Sequence, residues 1–264
     1  KQVNGVPLFR SERGTAMSGR IEPFLRRVDI AIFPGHLCNG RLFAHQVQVL
    51  AERARIHVAN LYTHDSVSEL AKSALERLPE RFVLIANSMG GAVAFEVMRQ
   101  CPERVEALIL IGTTCRPETS AQSSRRANAL GLAQDEKWAA LTELYAPAFF
   151  APSNRAKNAT LDATLRQMIL DTGGQGIRHQ QHAFATRPDS YPTLASISCP
   201  TLVICGREDE ITPLELSEEL VAGISGSALT VVEKCGHVPM LEHPEVTTQI
   251  VQAWLQRVLA VGES

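Results

Sequence analysis

The sequence lacks long apolar runs and an excess of positive charge, and each absence argues against a class of protein. No apolar run approaches the roughly 18 residues that a membrane-spanning helix needs. Basic residues number 26 against 28 acidic ones, a net charge of −2, so there is no broad basic surface for nucleic acid. The start of the chain shows no apolar segment typical of a signal peptide. We therefore expect no nucleic-acid partner and no membrane partner.

Paired cysteine motifs are also missing. The six cysteines show no spacing of the zinc-binding or redox kind. Several lie in apolar, strand-like runs, where a free thiol behaves as a small buried hydrophobic side chain. This usage favours a reducing compartment, so the sequence predicts a cytoplasmic protein with no metal site and no cofactor. The cysteines are Cys38, Cys101, Cys115, Cys199, Cys205 and Cys235.

What the chain does have is a regular alternation of two patterns. Short apolar runs rich in Val, Ile and Leu, with little polar alternation, predict strands that are covered on both faces. Helical patterns lie between them, and one of these begins with a capping-box spacing from Ser66 to Glu69. This order predicts an α/β fold, a mostly parallel central sheet with helices on both faces. The predicted strands are 28–33, 55–59, 82–87, 107–112, 201–206 and 229–233, and the helices 66–78, 88–100, 213–221 and 244–258.

One interval interrupts this alternation. The 88 residues between Gly112 and Thr201 contain no convincing strand, and structureless loops of that length are rare in compact domains. We predict a helical cap, or lid, over residues 116–192, inserted after the strand that ends near Gly112. Residues 1–115 and 193–264 would form the core. Ligands bind at the carboxyl edge of open parallel sheets, where this insertion begins. Its predicted helices are 120–130, 135–145, 156–170 and 176–186.

A candidate nucleophile lies between a predicted strand and a predicted helix. Residues 86–91 read Ala-Asn-Ser-Met-Gly-Gly, which places Ser88 on a sharp strand-to-helix turn with its hydroxyl above the sheet. Small residues two positions to either side, Ala86 and Gly90, allow the strand and the helix to approach. The alternative is that these small residues serve packing alone.

A serine hydroxyl needs a base that is held by a third group. Asp209 follows the predicted strand 201–206, and His237 follows the next strand. Glu208 and Glu210 are rivals for the role of the acid. Serine, then acid, then histidine, each after its own strand, is the chain order of one hydrolase architecture.

On these motifs the chain, from about Val28 to its end, resembles the α/β-hydrolase superfamily. The resemblance implies Ser88 as nucleophile, Asp209 as acid, because Gly-x-x-Asp precedes Thr-Pro, and His237 as base. It also implies an oxyanion hole made by the backbone N–H groups of Met89 and of His36, in Phe-Pro-Gly-His-Leu-Cys-Asn-Gly, with Leu37 as the fallback for His36.

Two departures from the family pattern stand out. Ala86 replaces the usual glycine, and residues 1–27 lack the opening hairpin of many members. Within the superfamily the motifs are most similar to small bacterial serine carboxylesterases, including those that act on acyl-carrier methyl esters.

The resemblance implies a serine carboxylesterase that acts on small to medium acyl compounds through an acyl-enzyme. The same triad also serves lactone hydrolysis, carbon–carbon bond hydrolysis and perhydrolysis, since the lid chooses the substrate. A small-molecule receptor with vestigial hydrolysis is an alternative of another class. We expect a small-molecule ester as the partner, and an acyl-carrier protein is the less favoured one, because lid arginines more often form a solvated face.

Several residues are predicted to contact substrate. Aromatic side chains of the insertion form either an acyl pocket or the insertion's own core. His182 lies three residues after His179, a spacing that could mimic a metal pair, but no third ligand follows. The predicted substrate-binding residues are Leu37, Trp138, Phe149, Phe150, His182 and Val238.

Overall fold

The computed structural model describes residues 28–260. The prediction that residues 1–27 lack an opening hairpin, and their assignment to the core, lie outside the described residues. Within the described part, no helix has both the length and the apolar character needed to cross a bilayer.

Six strands form one sheet in the order β2-β1-β3-β4-β5-β6. Every pair of neighbouring strands within residues 28–260 is parallel, which confirms the predicted fold class. Four central strands are almost fully buried, as continuous Val/Ile/Leu runs require. The strands are β1 Val28–Phe33, β2 Ala54–Val58, β3 Phe82–Asn87, β4 Val105–Ile111, β5 Thr201–Gly206 and β6 Ala228–Val232.

Helices cover both faces of the sheet. They are α1 Ala44–Leu50, α2 Val67–Leu75, α3 Met89–Gln100, α4 Ser120–Gln134, α5 Trp138–Phe149, α6 Pro152–Lys157, α7 Thr160–Ala185, α8 Tyr191–Leu194, α9 Leu214–Gly223, α10 Pro239–Glu242 and α11 Pro244–Ala260. Short 3-10 turns at Gly40–Phe43 and Pro102–Arg104 complete the described elements.

Alternate residues of each strand enter two separate cores. Ile30 and Ile32 belong to a core that includes residues of α1 and α11. Ala31 and Phe33 belong to a second core with residues of α2 and α3. Successive side chains of a strand point to opposite faces, so an apolar run without polar alternation fills both layers.

The segment between β4 and β5 is helical, and no strand lies within it in the described chain. Its helices differ from those predicted. The helix expected at 135–145 lies at Trp138–Phe149 as α5 and continues through Pro147, because Ala146, Ala148 and Phe149 are buried. The two helices expected on either side of Gly173 form one element that is interrupted only there, at φ 66° and ψ 167°.

Other differences are small. The helix expected at 66–78 spans Val67–Leu75, and the Ser66 side chain makes no capping hydrogen bond, so the predicted capping box is wrong. Sequence reasoning missed α1 and α10, two short helices that flank loops of the candidate site.

Candidate active site

Ser88 lies at the carboxyl end of β3, on the turn into α3, and is partly exposed. Its φ of 52° and ψ of −117° belong to a region that residues with side chains rarely adopt. The turn is fixed on both sides: the Ser88 N–H donates to Ile111 O at 3.0 Å, and Thr113 Oγ1 donates to Ser88 O at 2.7 Å. This strained turn presents the hydroxyl at the sheet edge.

The turn leaves no room for a side chain at Gly90. A Cβ there would lie 2.2 Å from Phe33 O and 2.8 Å from Pro34 O. Ala86, the departure from the family pattern, is fully buried in β3 without disturbing its pairing with β1 and β4. The first turn of α3 is thereby packed directly on the end of β1.

Asp209 and His237 form a buried pair at the same edge of the sheet. Asp209 follows β5 and His237 follows β6, and His237 Nδ1 lies 2.8 Å from Asp209 Oδ2. Their side chains are 0% and 1% exposed. Because the carboxylate accepts the Nδ1 proton, the Nε2 atom of the neutral ring is the one left to accept a proton.

A compact hydrogen-bond network holds Asp209 in place. Its Oδ1 accepts the backbone N–H groups of Ile211 and Thr212, each at 2.9 Å, and its Oδ2 accepts the Thr212 hydroxyl at 2.7 Å. Burial alone would raise the pKa of Asp209, but the charge of His237 and these hydrogen bonds hold it below its usual value. The rivals Glu208 and Glu210 are both exposed. Asp209 is therefore the carboxylate that the fold directs at the histidine.

Gly112, at the end of β4, joins the serine turn to this pair. Its neighbour Ile111 accepts the Ser88 N–H. A Cβ on Gly112 would lie 3.3 Å from both His237 Nδ1 and Asp209 Oδ2, and 2.9 Å from His237 O. With a φ of 51° as well, this position favours glycine. The three predicted residues thus gather around one strand end.

The predicted oxyanion donors lie on the other side of Ser88. A Cβ on Gly35 would lie 3.2 Å from the Ser88 Cβ, so the turn after β1 borders the serine. Within residues 28–260 the backbone N–H groups of His36 and Met89 are not used in turn or loop hydrogen bonds. The N–H of Leu37, the fallback donor, is already taken, because it donates to Gln180 Oε1 at 2.9 Å.

The predicted substrate-contacting residues divide into two groups. The Phe149 ring lies against the His237 ring, with centroids 5.6 Å apart, and its neighbour Phe150 is buried against it. Leu37 and Val238, beside the candidate catalytic residues, are also buried.

The other two residues have their recorded neighbours elsewhere in the chain. The structure places Trp138 near Gly174 of α7. The His182 side chain is 63% exposed and its Nδ1 donates to Asp65 O at 2.8 Å.

Three residues of the site were missed by sequence reasoning. The hydrogen bonds from Thr212 to Asp209 could have been predicted, since an Asp three residues before a Thr is typical of a local side-chain turn. No sequence pattern indicates the role of Gln180, because its contact with Leu37 joins residues 143 positions apart. Glu242 follows His237 by five residues and accepts the N–H of Gly236 at 2.8 Å.

These groups can act together chemically. A buried carboxylate orients a neutral imidazole, whose second nitrogen can take a proton from a hydroxyl at the same sheet edge. The N-terminus of α3 adds unpaired N–H groups and a positive dipole end beside Ser88. Such an arrangement suits attack on a carbonyl carbon.

Comparisons with known proteins identify the family of the chain. Residues 28–250 match the sequence profile of the family described as the alpha/beta hydrolase family. A 2-hydroxy-6-oxononadienedioate/2-hydroxy-6-oxononatrienedioate hydrolase of Klebsiella pneumoniae is 28% identical, over 73% of this chain and 69% of the relative. A pimeloyl-[acyl-carrier protein] methyl ester esterase of Nitrosomonas europaea is 27% identical, over 82% of this chain and 91% of the relative.

Solved structures give the same result. A thermophilic esterase from Thermogutta terrifontis superposes with a TM-score of 0.78 at 27% identity, over 88% of this chain and 91% of the other. An enol-lactonase from Burkholderia xenovorans superposes with a TM-score of 0.80 at 20% identity, over 88% and 92% of the two chains, which shows the shared fold.

Proposed function

The chain belongs to the alpha/beta hydrolase family and is a hydrolase, and from this premise we propose that it cleaves carboxylic esters through an acyl-enzyme on Ser88. The observation that carries the proposal is the buried contact of 2.8 Å between His237 Nδ1 and Asp209 Oδ2, at the sheet edge where Ser88 lies. The resemblance inferred from the motifs is confirmed at the level of the family.

In the first proposed step, His237 Nε2 accepts the Ser88 hydroxyl proton as the oxygen attacks the ester carbonyl. Asp209 stabilises the imidazolium that forms. The N–H groups of His36 and Met89 donate to the developing oxyanion, and each is worth on the order of 3 kcal/mol. The imidazolium then returns its proton to the departing alcohol, which leaves an acyl group on Ser88.

In the second step, water attacks the acyl-enzyme. His237 again accepts a proton, this time from the water, and gives it to Ser88 Oγ as the acid leaves. The same two N–H donors stabilise the second tetrahedral intermediate, so one constellation serves both halves of the reaction.

Two relatives support ester cleavage over the other reactions of this triad. The Nitrosomonas relative is named as a methyl ester esterase, and the Thermogutta structure is that of an esterase. The name of the Klebsiella hydrolase mentions no ester. We therefore keep lactone and carbon–carbon bond hydrolysis as the second candidate, and perhydrolysis and a receptor function as outcomes of the test.

We also propose that residues 116–192 act as a lid. The insertion contacts both loops of the site: Gln180 Oε1 accepts the Leu37 N–H, and Phe149 O accepts the His237 N–H at 3.0 Å. A segment held at these two points covers the reacting atoms and limits which acyl groups enter.

We propose a small-molecule substrate and a cytoplasmic location. Two of the lid arginines form ion pairs inside the insertion, Arg126 with Glu118 and Arg155 with Asp162. These pairs leave fewer positive charges to attract an acyl-carrier protein. The location rests on the six free cysteines, a usage typical of reducing compartments.

A panel of p-nitrophenyl esters of increasing chain length, with a lactone beside it, tests the proposal. We expect a burst of p-nitrophenol, then steady turnover, and at least a 10⁴-fold loss in the folded Ser88→Ala protein. Binding without turnover indicates a receptor. Turnover of the lactone alone favours the second candidate, and activity retained by Ser88→Ala contradicts the acyl-enzyme.

A further inference from the structure

A buried amide group next to the turn that carries His36 has hydrogen-bonding capacity that no residue of the described range 28–260 uses. Gln180 is 0% exposed, and its Nε2 has no hydrogen-bond partner among the described residues. Its Oε1 accepts the N–H of Leu37, and because that group can only donate, the orientation of the amide is fixed. The NH₂ group is therefore directed away from the Leu37 N–H, with two donors free. Such groups are costly when buried and call for an explanation.

His36, next to Leu37 on the same turn, has a second unused atom. Its side chain is buried and its Nε2 has no partner within the described chain. Burial, and then the positive charge of Arg126, lower the pKa of His36 to about 3, so the ring is neutral at physiological pH. A neutral imidazole can donate from Nε2 in one of its two tautomers.

The charge that acts on the His36 ring is the positive charge of Arg126. Arg126 is ion-paired with Glu118, and its Nη1 donates to Gln181 Oε1 at 2.6 Å. Arg187 is also buried, lies 3.8 Å above the Phe184 ring, and has no partner for Nη2 among the described residues. Glu118 pairs with Arg126, and its charge also acts on Arg187, so the two guanidinium groups share this carboxylate.

A row of aromatic rings connects this region with the reacting atoms. The His237 ring contacts Phe149, Phe149 contacts Tyr145 at 5.9 Å between centroids, and Tyr145 contacts His36 at 5.4 Å. The Tyr145 hydroxyl also accepts a hydrogen bond from Gln181, the neighbour of Gln180, at 3.3 Å. An acyl chain lying along this row would have its ester group between His237 and the His36 backbone N–H, and its far end near the side chains of His36 and Gln180.

We infer that Gln180 and His36 form a subsite for a carboxylate at the far end of the substrate's acyl chain, in the positive field of Arg126. The substrate class is then half-esters of dicarboxylic acids. The inference rests on the proposed esterase function and deepens it. A carboxylate suits the subsite because it only accepts hydrogen bonds, and because the positive charge that acts on His36 attracts it.

The test compares three esters for each chain length. Monomethyl esters of C4 to C8 dicarboxylic acids are assayed beside their own dimethyl esters and the straight-chain methyl esters of equal carbon number, at pH 7.5. We expect kcat/KM for the half-ester to exceed that of both neutral esters at least tenfold at one or two chain lengths, since hydrogen bonds to charged groups are the strong ones.

The Gln180→Glu variant assigns the preference to this subsite. The new carboxylate keeps an oxygen for the Leu37 N–H but replaces the free NH₂ with negative charge. We expect the ratio of kcat/KM for half-ester over dimethyl ester to fall at least tenfold. The ratio is read within one variant, so a general loss of activity does not affect it. Gln134→Glu, at an exposed position of α4, adds the same charge and should leave the ratio unchanged.

Thermal unfolding with the free C4 to C8 diacid anions provides a readout that does not depend on turnover. We expect the anions to raise the unfolding temperature of the wild type, and of Gln134→Glu, but not of Gln180→Glu. Neutral esters cleaved as well as half-esters, or a ratio unchanged by Gln180→Glu, would overturn the subsite and leave the esterase standing. Diacid binding without hydrolysis of any ester would overturn the esterase and keep the subsite. Neither binding nor hydrolysis would overturn both.

Discussion

Ser88 combines a strained backbone with a reactive position. Its φ of 52° and ψ of −117° cost on the order of 1–3 kcal/mol for a residue with a Cβ. Glycine relieves this strain but loses about 0.5–1 kcal/mol through the entropy of the unfolded chain. We therefore predict that Ser88→Gly is more stable than Ser88→Ala by about 1 kcal/mol in urea unfolding, and that both are inactive. Equal stability of the two variants would contradict the strain at this turn.

His36 gives a pH dependence of stability whose sign follows from its burial. Its pKa is about 3 in the folded protein, against about 6.5 in an unfolded chain. Between these values the unfolded state binds a proton that the folded state does not, so the free energy of unfolding falls as pH falls below about 6.5. The loss is at most about 1.4 kcal/mol per pH unit.

The measurement is urea unfolding from pH 7 to pH 5, in the wild type and in His36→Asn. We predict a shallower pH slope in the variant, whatever its stability at pH 7. Asp209 does not interfere, because its lowered pKa means that its contribution is lost only below this range. Parallel slopes in the two proteins would show that His36 is not buried as a neutral ring.

Individual residues differ in how far the sequence identifies them. Asp209 could be chosen over Glu208 and Glu210 only through a family resemblance, and the fold gives the physical reason: Asp209 alone of the three is buried, and it faces His237. Gln180 could not be found, because nothing in a helical pattern indicates which side chain will reach a turn 143 residues away.

At the scale of elements, the start of α3 depends on its approach to β1. A Cβ at Gly90 would lie 2.2 Å from Phe33 O, a backbone atom that cannot move alone. We predict that Gly90→Ala costs at least about 3 kcal/mol of unfolding free energy or prevents folding. Gly131→Ala in α4 is the matched control, since nothing lies within 4 Å of its Cβ position, and it should stabilise by about 1 kcal/mol. A mild effect of Gly90→Ala would refute the close packing of α3 on β1.

Glu242, in α10, connects the histidine loop with the end of α5. Its Oε1 accepts the Gly236 N–H at 2.8 Å, and its Oε2 accepts the N–H of Ala151 at 2.8 Å and the Asn154 amide at 2.9 Å. The carboxylate thus holds the residue before His237 and the residues after Phe149 in one arrangement.

We predict that Glu242→Gln lowers kcat roughly tenfold, with a smaller change in KM. The amide has one acceptor oxygen in place of two, so either the histidine loop or the insertion loses its partner. Steady-state kinetics on a p-nitrophenyl ester measure the effect, and Glu245→Gln, exposed in the first turn of α11, is the control. A change in KM alone would indicate that Glu242 affects the insertion but not His237.

The strands were predictable because their signal is local. β1, β3 and β5 begin and end where continuous apolar runs do, since burial on both faces leaves no polar positions. The helices of the insertion were less predictable from the sequence. Proline lacks the N–H that a helix interior uses, which favoured a break before Pro147, yet α5 continues because the residues around it are buried.

At the scale of the whole molecule, the parallel sheet brings the candidate residues together. Ser88 follows β3, Asp209 follows β5 and His237 follows β6, and β4 lies between β3 and β5 in the sheet. Parallel strands have their carboxyl ends at one edge, so the strand assignment alone predicts the convergence. The contacts between insertion and core could not be predicted, because they join distant segments through single side chains.

The central claim is that Ser88 is a nucleophile activated by His237 and Asp209. Incubation with diethyl p-nitrophenyl phosphate, followed by intact mass and peptide mapping, tests it most directly. We predict one phosphoryl group per chain, on Ser88, with no labelling of Ser88→Ala and a strongly slowed reaction in His237→Ala and Asp209→Asn. A label on any other residue, or labelling of Ser88 at an unchanged rate without His237, would contradict the account.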